Sequence, residues 1–453
     1  MKKTLSFLMA CMMLLSLASF ASAEDLPVVR MVVPGISEQS TMDPISGLTT
    51  LGLPEFQAFL DEHVKGAKVE LISIPWDGWI QKIEAMATSG EMDIGFYTNQ
   101  VAVPDWYLDI TPYLEKDADV NLDNLSEWFV EPATHYTYYK SFNYPEATNK
   151  IYGLPITMAC NFVTYDSQLF ADWGVEEPPM IGYTMPELVA LAEKMTGSNP
   201  VTGLPNYGAY MTADWLEWFS VSYDAIEGIS SDDMLLSGLD KAKYVDYIKD
   251  SPEVLAFFQD MERLVKNAPA GITTKSGNEM YFTFDNDLAI NFDVQRAAPQ
   301  YMKYLYAGAT EMTDRFKPVM MPAGEIGQGF PEFFRFAVTQ KANDTDAAWE
   351  VLKQLTTNPE IVNFYLINYA QDKICALKDA SEVEMMQFPI NQARHAYQME
   401  NILITDDYWT WRIPMQTVLT KVLAQQITPE QACAELYEGV NAWVENTKAQ
   451  LGQ

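Results

Sequence analysis

Cysteine is scarce in this chain: four residues in 453, with only Cys160, Cys375 and Cys433 beyond the first 23 positions. An odd, widely spaced set of three excludes a disulfide framework and allows one bridge without implying it. Histidine is scarcer still. His63, His135 and His395 stand far apart and match no metal-ligand spacing, so no metal site is expected. No Gly-x-Ser-x-Gly elbow, phosphate-binding loop or Gly-x-Gly-x-x-Gly run is present. The common nucleophilic and nucleotide-dependent enzymes therefore find no support, and no cofactor is expected. Positive charge is short as well, with 29 Lys and Arg against 62 Asp and Glu, a formal net charge of −33. That balance argues against nucleic acid and anionic lipid as partners.

Long apolar runs are confined to the N-terminus. Lys2-Lys3, the apolar stretch Leu5 to Phe20 and Ala21-Ser22-Ala23 form a secretory signal peptide over residues 1–23. Export would leave a mature chain of about 430 residues starting at Glu24, enough for two domains with separate cores. A rival cut at Cys11, after Leu8-Met9-Ala10, would make a lipoprotein. It would also leave Met12 to Ala23, a strongly apolar segment, where a polar tether is usual. No later segment approaches the 18 or so apolar residues of a membrane span.

What the chain does have is a strand–helix alternation and many aromatics. Arg30 to Ile36 is expected as a strand, Pro54 to Lys65 as a helix and Ala67 to Ile74 as a second strand. Trp76 to Thr88 follows as a helix ending at Ser89-Gly90, then Met92 to Tyr97 as a third strand. That order predicts an α/β lobe with a largely parallel sheet, whose ligands sit beyond the carboxyl ends of the strands. Further on, Ile151 to Ile156 and Asn161 to Tyr165 are extended segments. Thr184-x-x-Glu187 is a capping box, followed by Leu188, Leu191, Ala192 and Met195 on one helical face. Thr428 to Gln431 is another, with Ala432, Leu436, Val440 and Val444 behind it.

The ordered set Lys150-Ile-Tyr-Gly-Leu-Pro-Ile156, Asn161 to Tyr165, Pro178-Pro179 and Thr184 to Leu188 resembles the carbohydrate-binding proteins of ABC transporters, the family that includes maltose-binding protein. Gly90 to Tyr97 and Trp106 to Leu114 are similar to the family's third strand and its continuation, with Met92 where the family has proline. Phe282 to Val294, Met320 to Thr339 and Ala347 to Glu360 are similar to later family segments, so the resemblance spans nearly the whole mature chain.

This resemblance implies an α/β, two-lobed periplasmic-binding-protein fold, each lobe a mixed sheet flanked by helices and joined by three crossover segments. The implied division is residues 24–150 plus 293–332 for one lobe and 151–292 plus 333–453 for the other. Ala347 to Glu360 is implied as a helix pair of the second lobe. Gly153 and Gly329 suit hinge positions and equally suit ordinary turns. The implied function is an extracytoplasmic, monomeric receptor that hands a sugar or oligosaccharide to membrane permease subunits, without catalysis. Two alternatives stay open: a secreted glycoside hydrolase or lyase using a pair such as Asp285 and Asp293, or the same fold holding a peptide, polyamine or phosphorylated polyol.

Pyranose recognition needs flat apolar faces beside planar hydrogen-bonding groups, and the chain has 11 Trp and 24 Tyr. The loop aromatics Trp76, Trp79, Trp215, Trp218, Trp409 and Trp411 all lie near carboxylates. Trp409 and Trp411 precede Pro414 and a helix facing its core with Val418, Leu419, Val422 and Leu423. Polar candidates are Ser37 and Glu38 after the first strand, then Asn99, Gln100 and Asp105 after the third. Asn161, Asp285, Asp293, Gln295 and Glu332 flank the expected crossings, while Arg296 and Arg412 could receive an acidic sugar. For each Asp or Asn, a turn or helix cap is the competing role.

Overall fold

The computed structural model describes residues 26–42, 47, 49–98, 103–130, 133–134, 137–138, 145–147, 149–159, 162–180, 182–212, 216–223, 250–271, 281–322, 333–370, 373–381 and 413–450. Apart from the two-residue strands Thr41–Met42 and Thr49–Thr50, the first part of the chain alternates: β1 (Val28–Pro34), α1 (Leu53–His63), β2 (Lys68–Ile74), α2 (Trp79–Ser89) and β3 (Ile94–Tyr97). β1 runs parallel to β2 from Val28–Lys68 to Pro34–Ile74, and parallel to β3 at Met31–Ile94. The one sizeable shift from expectation is α2. It starts after Gly78, so Pro75 to Asp77 remain in the loop and Trp76 is not helical.

The middle of the chain supplies β4 (Leu154–Ala159), β5 (Phe162–Asp166), α3 (Ser167–Trp173), α4 (Met185–Lys194) and β6 (Pro205–Tyr210). It continues through α5 (Pro252–Lys266), β7 (Leu288–Asn291), α6 (Val294–Tyr306) and β8 (Phe316–Met320). The last third holds β9 (Phe333–Val338), α7 (Thr345–Thr357), α8 (Pro359–Tyr369), β10 (Lys373–Cys375), α9 (Ile413–Leu423) and α10 (Pro429–Gln450). Both expected capping boxes form. The Thr184 N–H donates to the Glu187 carboxylate at 2.7 Å. Thr428 and Gln431 bond reciprocally at 2.9 and 3.3 Å. Val418, Leu419, Val422 and Leu423 of α9 are buried, as their spacing predicts.

Two main sheets organise the molecule. One has six strands in the order β10-β4-β9-β3-β1-β2, the other β8-β5-β7-β6 with the short strand Gly197–Ser198 at its edge. This matches the expected α/β, two-lobed class but redraws the boundary between lobes. Leu154–Ala159 is a strand of the first sheet, antiparallel to β9, and β9 is antiparallel to β3. Phe316–Met320, expected in the first lobe, pairs along its length with β5 of the second sheet. Helices α7 and α8, expected in the second lobe, pack on β4, β9 and β10. Strand membership therefore changes sheet between Ala159 and Phe162 and again between Met320 and Phe333, and α9 and α10 pack on α5.

The reason is burial on both faces. Every residue of Phe333–Val338 is buried, and such a strand shows no alternating pattern that separates it from an apolar crossing. Gly153 sits at a close approach of strands. A Cβ there would stand 2.5 Å from the Phe336 carbonyl oxygen and 2.8 Å from Tyr97 Cε1, so the glycine allows β9 and β3 to close up. Gly329 lies outside the described residues. Among the described residues no helix is long and apolar enough to cross a membrane.

Candidate ligand-binding site

Strands β1, β2 and β3 are parallel, so their carboxyl ends share one edge of the first sheet. The loop after β1 is tightly tethered there. Gly35 N–H donates to the Ile74 carbonyl and Leu53 N–H to the Ser37 carbonyl, each at 2.8 Å. Gly52 N–H donates to Ser40 Oγ at 3.0 Å, the Ser73 hydroxyl to the Ile36 carbonyl, and the Tyr369 hydroxyl to the Gly52 carbonyl at 3.1 Å. The backbone is thus fixed while the Ser37 and Glu38 side chains stay exposed. A tethered backbone of this kind removes part of the ordering cost of binding.

Beside this loop stands Trp76, 50% exposed. Its ring centroid lies 5.7 Å from that of Trp79 at 83° and 5.7 Å from that of Phe96 at 72°. Trp79 and Phe96 meet at 5.6 Å, and Phe96 continues to Phe334 at 5.5 Å. Phe96 and Phe334 are buried and Trp79 partly so. Trp76 therefore caps an aromatic column that starts in the core. Leaving half an indole in water forgoes roughly 2–3 kcal/mol of burial, which a ligand laid on the ring would recover.

Asp105 is exposed in the short helix Val103–Trp106, but Gln340, next to the Thr339 that bonds Asp93, donates to the Pro104 and Trp106 carbonyls and so places this helix toward the amino end of β3. That segment is anchored by Tyr107, whose buried hydroxyl donates to the Phe96 carbonyl at 2.9 Å. Burial pushes this phenol well above its ordinary pKa and keeps it neutral. Trp106 itself is core.

A residue that sequence reasoning passed over completes this floor. Arg335 of β9 is 3% exposed, and its Nη1 donates to the carbonyls of Thr98 at 3.1 Å and Phe333 at 3.2 Å. Its guanidinium lies 5.3 Å from the Tyr97 ring centre. It holds the end of β3 in place. The signal was available: one arginine inside Phe-Phe-Arg-Phe-Ala-Val is a charge on a fully buried strand.

The second sheet's corresponding edge is built differently. Asp293, a candidate ligand contact, is 1% exposed, and its carboxylate accepts from Thr212 Oγ1 at 3.2 Å. Its N–H donates to Asn291 Oδ1 at 2.8 Å, and Phe292 N–H donates to the Tyr210 carbonyl at 2.8 Å. Asp293 thus ties the ends of β6 and β7 together. Asp285 is exposed but precedes β7, whereas Asp293 follows it. Four strand residues alone span roughly 13 Å, more than the about 5–9.5 Å between the carboxylates of a glycosidase. This pair does not make a hydrolytic centre.

Asn99, Gln100, Asn161, Trp215, Glu332, Trp409, Trp411 and Arg412 lie outside the described residues, as do the side chains of Trp218, Gln295 and Arg296. Among the described residues no group of three or more His, Cys, Asp or Glu suits a metal ion. Cys375 and Cys433 are free thiols, and burial pushes the Cys375 thiol up to about 12.

Several solved structures share this architecture. An ABC substrate-binding protein from Listeria monocytogenes in complex with cycloalternan is 15% identical, with a TM-score of 0.61 over 94% of this chain and 100% of that one. A maltose-bound protein from T. maritima is 16% identical, with a TM-score of 0.61 over 92% and 99%. The GacH receptor of Streptomyces glaucescens is 17% identical, with a TM-score of 0.61 over 92% and 98%. At these identities the likeness is one of fold. No curated protein matches the chain. The sequence profile described as bacterial extracellular solute-binding protein does match, over residues 49–360, which is more than half of the chain. The chain belongs to that bacterial extracellular solute-binding family.

Proposed function

We propose that this protein is the binding subunit of a carbohydrate ABC importer, capturing a sugar or oligosaccharide between its lobes for delivery to membrane permease subunits. The observation that carries the reading is Trp76, a half-exposed indole on a rigid aromatic column, beside the exposed Ser37 and Glu38. Flat apolar surface flanked by a few oriented polar groups is what a pyranose ring requires. The ligands named for structures of like fold, cycloalternan, maltose and acarbose, are saccharides.

The lobes on this reading are residues 26–159 with 333–381, and 162–322 with 413–450, following sheet membership. Trp79 supports Trp76 from below. The second lobe's contacts are sought among Trp215, Trp218, Trp409 and Trp411. The protein acts outside the cytoplasm as a monomer, exported through residues 1–23 and starting at Glu24, and binds without turning its ligand over. A thermal-shift panel of neutral, acidic and amino saccharides, run beside polyamines and peptides, tests the class. A ligand at 100 times its Kd adds about 2.7 kcal/mol of stability. Stabilisation by a polyamine or peptide with none by any saccharide would overturn the reading, as would new reducing ends released from an oligosaccharide. N-terminal analysis of exported protein decides between Glu24 and an acylated Cys11.

A further inference from the structure

Trp76 owes its position to a residue with no side chain. Gly35 follows β1 at φ +78°, and its N–H bonds the Ile74 carbonyl at 2.8 Å. The backbone after β1 is thereby held against the end of β2, directly under the Trp76 loop. A Cβ on Gly35 would overlap Nε1 of Trp76 and stand 2.7 Å from Cδ1 and 2.8 Å from Cε2. The pyrrole half of the indole therefore lies on the Gly35 backbone, while Trp79 and Phe96 meet the same indole at steep angles. Three neighbours fix the ring, and half of its surface still faces water.

We infer that Gly35 is a positioning residue of the ligand site: its bare backbone is the seat that fixes the tilt and height of the Trp76 platform. This rests on the proposed role of Trp76 in binding, although the seat itself can be measured without ligand. A turn glycine is a different thing. At Gly203, φ +73°, an added Cβ would meet nothing within 4 Å. A left-handed backbone conformation alone is tolerated by asparagine. At Gly35 the space is taken as well, so asparagine satisfies the backbone and still displaces the indole.

The test uses 5-fluorotryptophan-labelled protein without ligand, with the Trp76 fluorine resonance assigned by its loss in Trp76→Phe. Of the 11 tryptophans, the Trp76 signal should move or split in Gly35→Asn and Gly35→Ala, whereas Gly203→Asn should leave every signal in place. Melting temperatures supply a second arm, and they cover the case in which Gly35→Ala alone folds poorly. The drop caused by Gly35→Ala should be clearly smaller in a Trp76→Ala background, where only the backbone strain remains. An unmoved Trp76 resonance, or equal drops in both backgrounds, overturns the seat. A resonance that moves, together with unchanged saccharide binding in Trp76→Ala, upholds the seat and overturns the role of Trp76 in binding.

Discussion

The carboxyl-end edges of the two sheets carry similar residue types and use them in opposite ways. On the first sheet the loop backbones are bonded down and the side chains of Ser37, Glu38 and Trp76 face outward. On the second, Asn291, Thr212 and Asp293 bond to one another, and the carboxylate disappears inside. Side chains at the first edge are thus left outward, whereas at the second the Asp293 carboxylate is spent on the fold. The same contrast runs beneath the sheets. Asp166 in the second lobe is 0% exposed and receives Arg315 Nε and Nη2, Asn286 Nδ2 and the Gln168 N–H. In the first lobe Asp93 receives two side-chain bonds from the partly exposed Arg30 and backbone N–H groups from Arg30 and Asn343.

The largest break in this comparison should come from Arg315→Ala. It leaves the fully buried Asp166 carboxylate with only Asn286 Nδ2 and the Gln168 N–H, and removing one partner of a buried pair costs about 3–5 kcal/mol. Arg30→Ala should cost less, because Asp93 keeps two backbone N–H donors where Asp166 keeps one. Urea unfolding of both variants checks the order, and equal losses would refute the asymmetry. Next in size, Trp76→Ala should weaken saccharide binding ten- to a hundredfold, about 1.4–2.8 kcal/mol, with a much smaller loss of stability. Paired titration calorimetry and melting curves would sink this if stability fell and affinity held. Thr212→Val should do the reverse, lowering stability by about 1–2 kcal/mol through the buried Asp293 and leaving the first lobe's platform intact.

The smallest expected effect is with pH. Burial works to raise the Asp117 pKa, but bonds from Lys353, the Val120 and Asp119 N–H groups and Trp349 outweigh it and hold the carboxyl at about 2. Its folded value lies below the unfolded value of about 3.9. The stabilisation is therefore complete above that value and is lost as pH falls through 3.9 towards 2. Allowing for solvent screening, it is on the order of 1 kcal/mol. Asp117→Asn should flatten the stability profile in that window; an unchanged slope would discount the pair.

Much of this was readable along the chain. Local signals worked: the alternation over residues 28–97, the two capping boxes and the apolar face of α9 all formed where their spacing placed them. What the sequence concealed is non-local. Whether Leu154–Ala159 joins one sheet or the other depends on its partner Phe333–Val338, far along the chain. Asp293 looks like any loop carboxylate until Thr212, 81 residues away, is placed beside it. Arg335 was hidden for the same reason, since its bonds run to carbonyls that only folding brings near.

The tethered loop after β1 also bears on how such a protein changes over generations. Its shape is held by its own carbonyls and N–H groups together with the Ser40, Ser73 and Tyr369 hydroxyls, and the side chains at 37 and 38 take no part. The letters at 37 and 38 can be rewritten at little cost to folding, while Gly35 and Gly52 cannot. On the proposed role of these positions in binding, ligand preference is then free to drift there faster than the architecture does.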